Sequence, residues 1–207
     1  MKKLIFATTV ACMLLLSFCK NKRSNSTNTT TTTGSEIKKD AETVRSNTPT
    51  FISAQEYNDY IIERQKAVYD YIFKMSDAAK TDAAAADKII DKAVPDIDKM
   101  MNEIKAMPPF KDDIRFRDAA LTLFEFYKIT FDTSYREIIG INKKGEKKSR
   151  ADVARLQKIS NDVTVIERAL DVAMKTAQSA FAVANGNMLQ ENTELQEKVD
   201  NMNKKDN

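Results

Sequence analysis

The chain has no histidine and no tryptophan, and only four glycines and four prolines among 207 residues. Without His the usual metal ligand, proton shuttle and relay base are missing, which removes most metal, acid–base and nucleophilic-relay chemistry. The two cysteines, Cys12 and Cys19, both lie within the first nineteen residues. The body of the chain can therefore build neither a disulfide nor a Cys-rich zinc site. Average usage would give about three times as many Gly and Pro together. A β-sandwich or barrel needs turn residues every ~8–12 positions, and a dinucleotide fold needs a glycine-rich first turn. Gly34, Gly140, Gly145 and Gly186, with Pro49, Pro95, Pro108 and Pro109, supply neither. What remains is an all-α chain of long helices with few connections.

What is present is apolar enough to fold and nearly balanced in charge. Hydrophobic residues make up 42%, enough for a core. Thirty-three basic residues against 30 acidic leave a formal charge of +3, of which Lys2 and Lys3 supply two. Nucleic-acid binding needs a concentrated basic face, and none is visible, so no nucleic-acid partner is expected.

Lys2 and Lys3 precede an apolar run of about 15 residues, Leu4 to Phe18, and polar Lys20-Asn21-Lys22-Arg23 follows. The run is short of the ~20 residues that span a bilayer as a helix, which argues against a permanent transmembrane anchor. A basic start, an apolar middle and an abrupt polar end are the layout of a secretory signal. Leu16-Ser17-Phe18-Cys19 resembles a bacterial lipobox, where a lipoprotein signal peptidase cuts ahead of a cysteine that carries a diacylglycerol. Leu16 and Ser17 suit the pattern; Phe18 departs from it, because a small residue is the rule there. The alternative is ordinary cleavage after Cys19, with Ser17 and Cys19 as the small flanking residues. Two or three acyl chains of palmitate type, at ~0.8 kcal/mol per buried methylene, anchor stably where one is marginal. Lys20, not Asp, follows the cysteine, so the resemblance implies the outer membrane or cell surface.

Residues 20–50 are dominated by Thr and Asn, with Ile37 and Val44 as the only large apolar side chains. Such a stretch cannot bury enough to offset its conformational entropy and reads as a disordered tether, with a root-mean-square span near 30 Å. The expected organisation is a lipoprotein signal peptide over 1–18, lipidated Cys19 and tether over 19–50, a helical body over 51–186, and a polar, weakly helical tail over 187–207.

Within the body, Ser53 with Glu56 makes a capping box. Tyr57, Ile61, Val68, Tyr71, Ile72 and Met75 then recur at helical spacing, with Arg64 the one charge in the stripe. A turn over 78–82 leads to a second helix carrying Ala86, Ile89, Ile90, Ala93, Ile97, Met100, Met101, Ile104 and Met107. Pro95 inside it predicts a kink, or a break just before that residue. Pro108-Pro109 ends it. Asp112-Asp113 place negative charge at the start of a third helix, whose stripe Ile114, Ala120, Leu121, Phe124, Tyr127, Phe131, Tyr135 and Ile138 stops at Gly140. Ser149 with Asp152 resembles a capping box for a fourth, whose stripe is Val153, Leu156, Ile159, Val163, Ile166, Leu170, Ala173, Ala177, Phe181 and Ala184. Short connections between four such helices predict an antiparallel up-down-up-down four-helix bundle.

The body offers little chemistry. Di-iron and haem bundles want His, so no cofactor and no metal is expected. Asp87, Asp91, Asp96 and Asp98 suggest calcium ligands, but the loop with its central Gly is missing, and they read as a solvated face. Nucleophile elbows, Walker loops and dinucleotide fingerprints are absent, and no catalytic residue is assigned. One surface feature stands out. The loop from Asn142 to Arg150 carries five cations, Lys143, Lys144, Lys147, Lys148 and Arg150, against the single acid Glu146. Counting helix directions from the tether places it at the membrane-distal tip, where it can contact an anionic glycan or acidic protein.

A signal ending in a cysteine, a Thr/Asn tether and a helical body without His or Trp together resemble the small helical surface lipoproteins of spirochaetes and Bacteroidetes. That group has no established activity to carry over. The expected function is a lipid-anchored, non-enzymatic interaction protein. The alternative is a carrier or chaperone that holds an apolar ligand between helices, in a cavity lined by Phe124, Phe131 and their neighbours.

Overall fold

The computed structural model describes residues 49–187, together with the backbone of Leu16–Phe18 and Leu189–Glu191. The rest of the expected signal segment, Cys19, most of the expected tether and most of the expected tail lie outside the described residues. Leu16–Phe18 (β1) pairs antiparallel with Leu189–Glu191 (β2), Leu16 facing Glu191. The second of these falls where the sequence reading expects weak helix.

The body is all-α. Helix α1 runs Ala54–Ala79 and α2 runs Ala83–Lys105. Helix α3, Arg115–Thr130, passes through a π-helical turn at Phe131–Tyr135 straight into α4, Arg136–Asn142, so the three make one rod. Helix α5, Arg150–Ala184, is the longest, at about 50 Å. Four long helical rods therefore form, as the stripes predict.

Local chemistry sets most of the boundaries. Ser53 accepts the Glu56 N–H at 3.1 Å, while the Glu56 carboxylate reaches back to the Ile52 N–H at 3.0 Å. Asp82 caps α2 by accepting the N–H groups of Ala84 and Ala85. Ser149 and Asp152 form a complete reciprocal box at the start of α5. Past its other end Gly186 turns left-handed (φ 68°), and the Asn187 N–H returns to the Ala182 carbonyl at 2.9 Å. That is a Schellman ending, which redirects the chain.

Three expectations need correction. Helix α2 is not broken before Pro95; it runs on to Lys105. Pro95 sits on the exposed side, so water can serve the Asp91 carbonyl that loses its partner. The third rod does not stop at Gly140 either. It continues to Asn142, and the left-handed glycine is Gly145 (φ 56°). The third correction concerns α5, whose buried face is rotated by roughly a sixth of a turn from its apolar stripe. Val153 and Ile166 are half-exposed, while Glu167, Asp171, Met174 and Gln178 point inward beside Ile159 and Phe181.

The core gathers all the rods. Phe181 of α5 meets the rings of Tyr57, Phe110 and Phe116 at centroid distances of 5.3–5.6 Å. Partners run in opposite directions along neighbouring helices. Arg64 of α1 pairs with Glu103 of α2, and Tyr71, further on, donates to Asp96. On the other side of α2, Asp98 pairs with Lys128, Asp91 with Arg136 and Asp87 with Lys143. Across to α5, Glu137 takes Arg155 and Tyr127 reaches Glu167. Arg64, the lone charge of the first stripe, lies at its edge and stacks over the Tyr60 ring.

Candidate functional site

The basic loop is built by helix endings. The backbone of α4 closes at Lys143, whose N–H bonds to the Ile139 carbonyl. Left-handed Gly145 then starts a single 3₁₀ turn over Gly145–Lys147. Extended Ser149 opens α5. Because Lys143 pairs with Asp87 in the first turns of α2, the loop lies beside the α1–α2 connection, at the opposite end of α1 from Phe51.

The five cations are not equivalent. Lys143 is held by Asp87. Lys144 binds Asp152 at 2.6 Å, and Asp152 also accepts the Ser149 N–H and hydroxyl. The Lys144 ammonium, followed by those Ser149 bonds, lowers the Asp152 carboxyl to about 2. Among the described residues, Lys147, Lys148 and Arg150 have no ion pair; Lys147 and Arg150 are exposed and Lys148 half-buried. These three form the accessible basic group.

The acidic run on α2 is also spoken for. Asp87, Asp91 and Asp98 carry the ion pairs to Lys143, Arg136 and Lys128, and Asp96 accepts the Tyr71 hydroxyl. These carboxylates clamp neighbouring helices instead of converging on one point. Among the described residues no group of three or more His, Cys, Asp or Glu is placed to hold a metal ion.

A second polar feature was missed in the sequence: a hydrogen-bonded layer inside the body. The Gln65 amide donates to the Tyr69 hydroxyl at 2.8 Å, and the Tyr69 and Tyr127 hydroxyls lie 3.3 Å apart. The Tyr127 hydroxyl lies 3.1 Å from a Glu167 carboxylate oxygen. With one proton per hydroxyl, the set reads Gln65 to Tyr69 to Tyr127 to Glu167, each donating onward. Glu167 is only 4% exposed. Burial, reinforced by nearby Asp171 and opposed by the Tyr127 bond, pushes its carboxyl up to about 7. Asp171 is raised as well, chiefly by burial, although Lys175 binds it at 2.8 Å. Lower down, Gln178 donates to Asn58 at 2.7 Å between α5 and α1. Glu167, Asp171 and Gln178 share one helical face, a signal available in the sequence but indistinguishable there from a solvated face.

Phe124 and Phe131, the expected cavity lining, are fully buried members of the core, and Phe131 packs edge-on against Tyr135 at 5.1 Å. A surface groove of about 440 Å³ lies instead at the other end of the body. It is lined by Phe110, Ile114, Ala184, Asn185 and the tight turn through Lys111 and Asp112, both left-handed. No described helix is long and apolar enough to cross a membrane. No protein-family model, no curated protein and no solved structure matches this chain.

Proposed function

We propose that this chain is a lipid-anchored, non-enzymatic envelope protein whose up-down-up-down four-helix bundle presents a basic tip to an anionic partner. Cys19 carries the acyl chains, residues 20–50 form the tether, and the outer membrane or cell surface is the location. The opposed order of partners along neighbouring rods supports the bundle topology. The observation that carries the functional reading is the trio Lys147, Lys148 and Arg150, free of ion pairs among the described residues and set at the end of α1 remote from Phe51. A polysaccharide or protein rich in carboxylate or sulfate groups is the complementary chemistry.

The test is retention on an acidic polysaccharide such as heparin at increasing salt. Lys147/Lys148/Arg150→Ala should elute at clearly lower salt than wild type, because exposed charge pairs are screened within ~8 Å at physiological ionic strength. Lys143/Lys144→Ala should shift elution less, since Asp87 and Asp152 already neutralise those two. Equal retention of all three proteins removes the reading. Intact-mass analysis of membrane fractions checks the anchor: an acyl adduct present in wild type should vanish in Cys19→Ala.

A further inference from the structure

Asn185 and Gly186, at the C-terminal end of α5, form the one Asn-Gly pair of the chain. Such a pair carries its own chemistry. Glycine has no side chain to shield its backbone nitrogen, which can attack the side-chain amide of the asparagine before it. The Gly186 nitrogen bonds to Asn185 Cγ, its proton passes to the side-chain nitrogen, and that nitrogen leaves as ammonia. Water then opens the succinimide at either carbonyl, giving aspartate or isoaspartate. No other reactant is needed, and Asn185 is half-buried beside an exposed Gly186, so water reaches the pair.

The folded end of α5 holds each participant out of position. The Gly186 N–H donates to the Val183 carbonyl at 3.1 Å, which retains the proton that must leave. Ring closure needs that nitrogen swung beside Cβ, whereas the near-zero ψ of Asn185 (12°) keeps it beside the Asn185 nitrogen. The departing group is tied as well, because Asn185 Nδ2 donates to the Phe181 carbonyl at 2.9 Å. Attack builds negative charge on Asn185 Oδ1, which is buried and reached by no donor among the described residues. The Asn187 N–H on the Ala182 carbonyl at 2.9 Å closes the turn over all of them. These restraints sit in one terminal turn, the part of a helix that opens most readily.

The product does not fit the turn it came from. Aspartate at this position has no N–H for the Phe181 carbonyl, and its charge falls at the negative end of the helix dipole. Isoaspartate lengthens the main chain by one carbon at the same place. The turn that restrains the reaction is therefore weakened by it. We propose that Asn185 is a deamidation site gated by the Schellman turn. Each opening of the last turn of α5 exposes it to a one-way conversion, which leaves that turn, and the groove wall formed by Ala184 and Asn185, less firmly held.

The test incubates the full chain near neutral pH, folded and in urea, and follows residue 185 by peptide mapping that separates asparagine, aspartate and isoaspartate. Wild type should convert at least about tenfold slower folded than in urea. Asn187→Pro lacks the N–H that closes the turn. In urea it should convert within about twofold of wild type, and folded about fivefold faster than folded wild type. In hydrogen exchange, Asn185→Asp should release the amides of residues 185–187 about fivefold faster than wild type, with α1 and α3 unchanged. Absence of conversion in urea overturns the site. Equal wild-type rates folded and in urea overturn the gating, as does a folded Asn187→Pro no faster than folded wild type. Unchanged amide exchange in Asn185→Asp overturns the weakening of the turn.

Discussion

The Tyr127 hydroxyl of α3 meets the carboxyl of Glu167 on α5 at 3.1 Å, inside the core and beside Tyr69 of α1. A carboxyl so placed is held between two opposing demands. It serves as the acceptor that completes the tyrosine chain, yet its ionised form has lost its water. Tyr69, Tyr127 and Tyr135 face it from the other rods, and Asp171 faces it from its own helix.

The pH consequence follows from the sign of that shift. Unfolded Glu167 ionises near 4.5 and the folded residue near 7. Between those values the folded state binds the extra proton, so stability falls as pH rises through the window and then levels off. The loss is on the order of 3 kcal/mol. Glu167→Gln keeps an acceptor for Tyr127 and removes the ionisation. Urea melts at pH 5 and pH 8 should show the variant gaining on wild type only at the higher pH. An identical gain at both would assign the effect to packing.

Acid acts on α5 through the opposite shift. Asp152 is lowered to about 2 by Lys144 and Ser149, so its contribution is present above pH ~4 and is lost as pH falls toward 2. Ser149→Ala should cost about 1 kcal/mol near neutrality. The acid side of the stability curve should flatten in Asp152→Asn, as followed by thermal melts between pH 2 and 5.

The Asn58–Gln178 bond links α1 to α5 inside the core. Truncating one partner, as in Gln178→Ala, strands the Asn58 oxygen and should cost about 1–3 kcal/mol. Asn58→Leu combined with Gln178→Leu should recover most of that loss in the same denaturation assay, since neither amide of the pair is then left buried without the other.

Two residues of the predicted α5 stripe should separate sharply. Phe181 packs against three other rings, and Phe181→Ala should cost about 3–5 kcal/mol. Ile166 was assigned to the same stripe yet stands half-exposed. Ile166→Ala should stay within about 0.5 kcal/mol, measured as the shift in urea midpoint.

That contrast marks what a sequence can disclose here. Ser53, Ser149 and Gly186 announce helix ends because capping is local: the donors and acceptors lie within four residues. Gly140 misleads because its local cost is tolerated inside a long helix, and at Pro95 only the expected break is overturned. The inward face of α5 is not local at all. Glu167 and Gln178 are buried because Tyr127 and Asn58, 40 and 120 positions away, offer them bonds. The basic loop was legible as a run of five cations, but its division into held and free members depends on Asp87 of another helix.

The π turn at Phe131–Tyr135 has a consequence for how the rods mesh. Lys128 and Arg136 are eight positions apart, while their partners Asp98 and Asp91 are seven apart. The wide turn absorbs the odd residue, and the Thr133 hydroxyl bonds to the Ile129 carbonyl at 2.7 Å within it. Phe131–Tyr135 is thus where the third rod takes up the one-residue difference between Lys128 and Arg136 and the two acids of α2 that hold them.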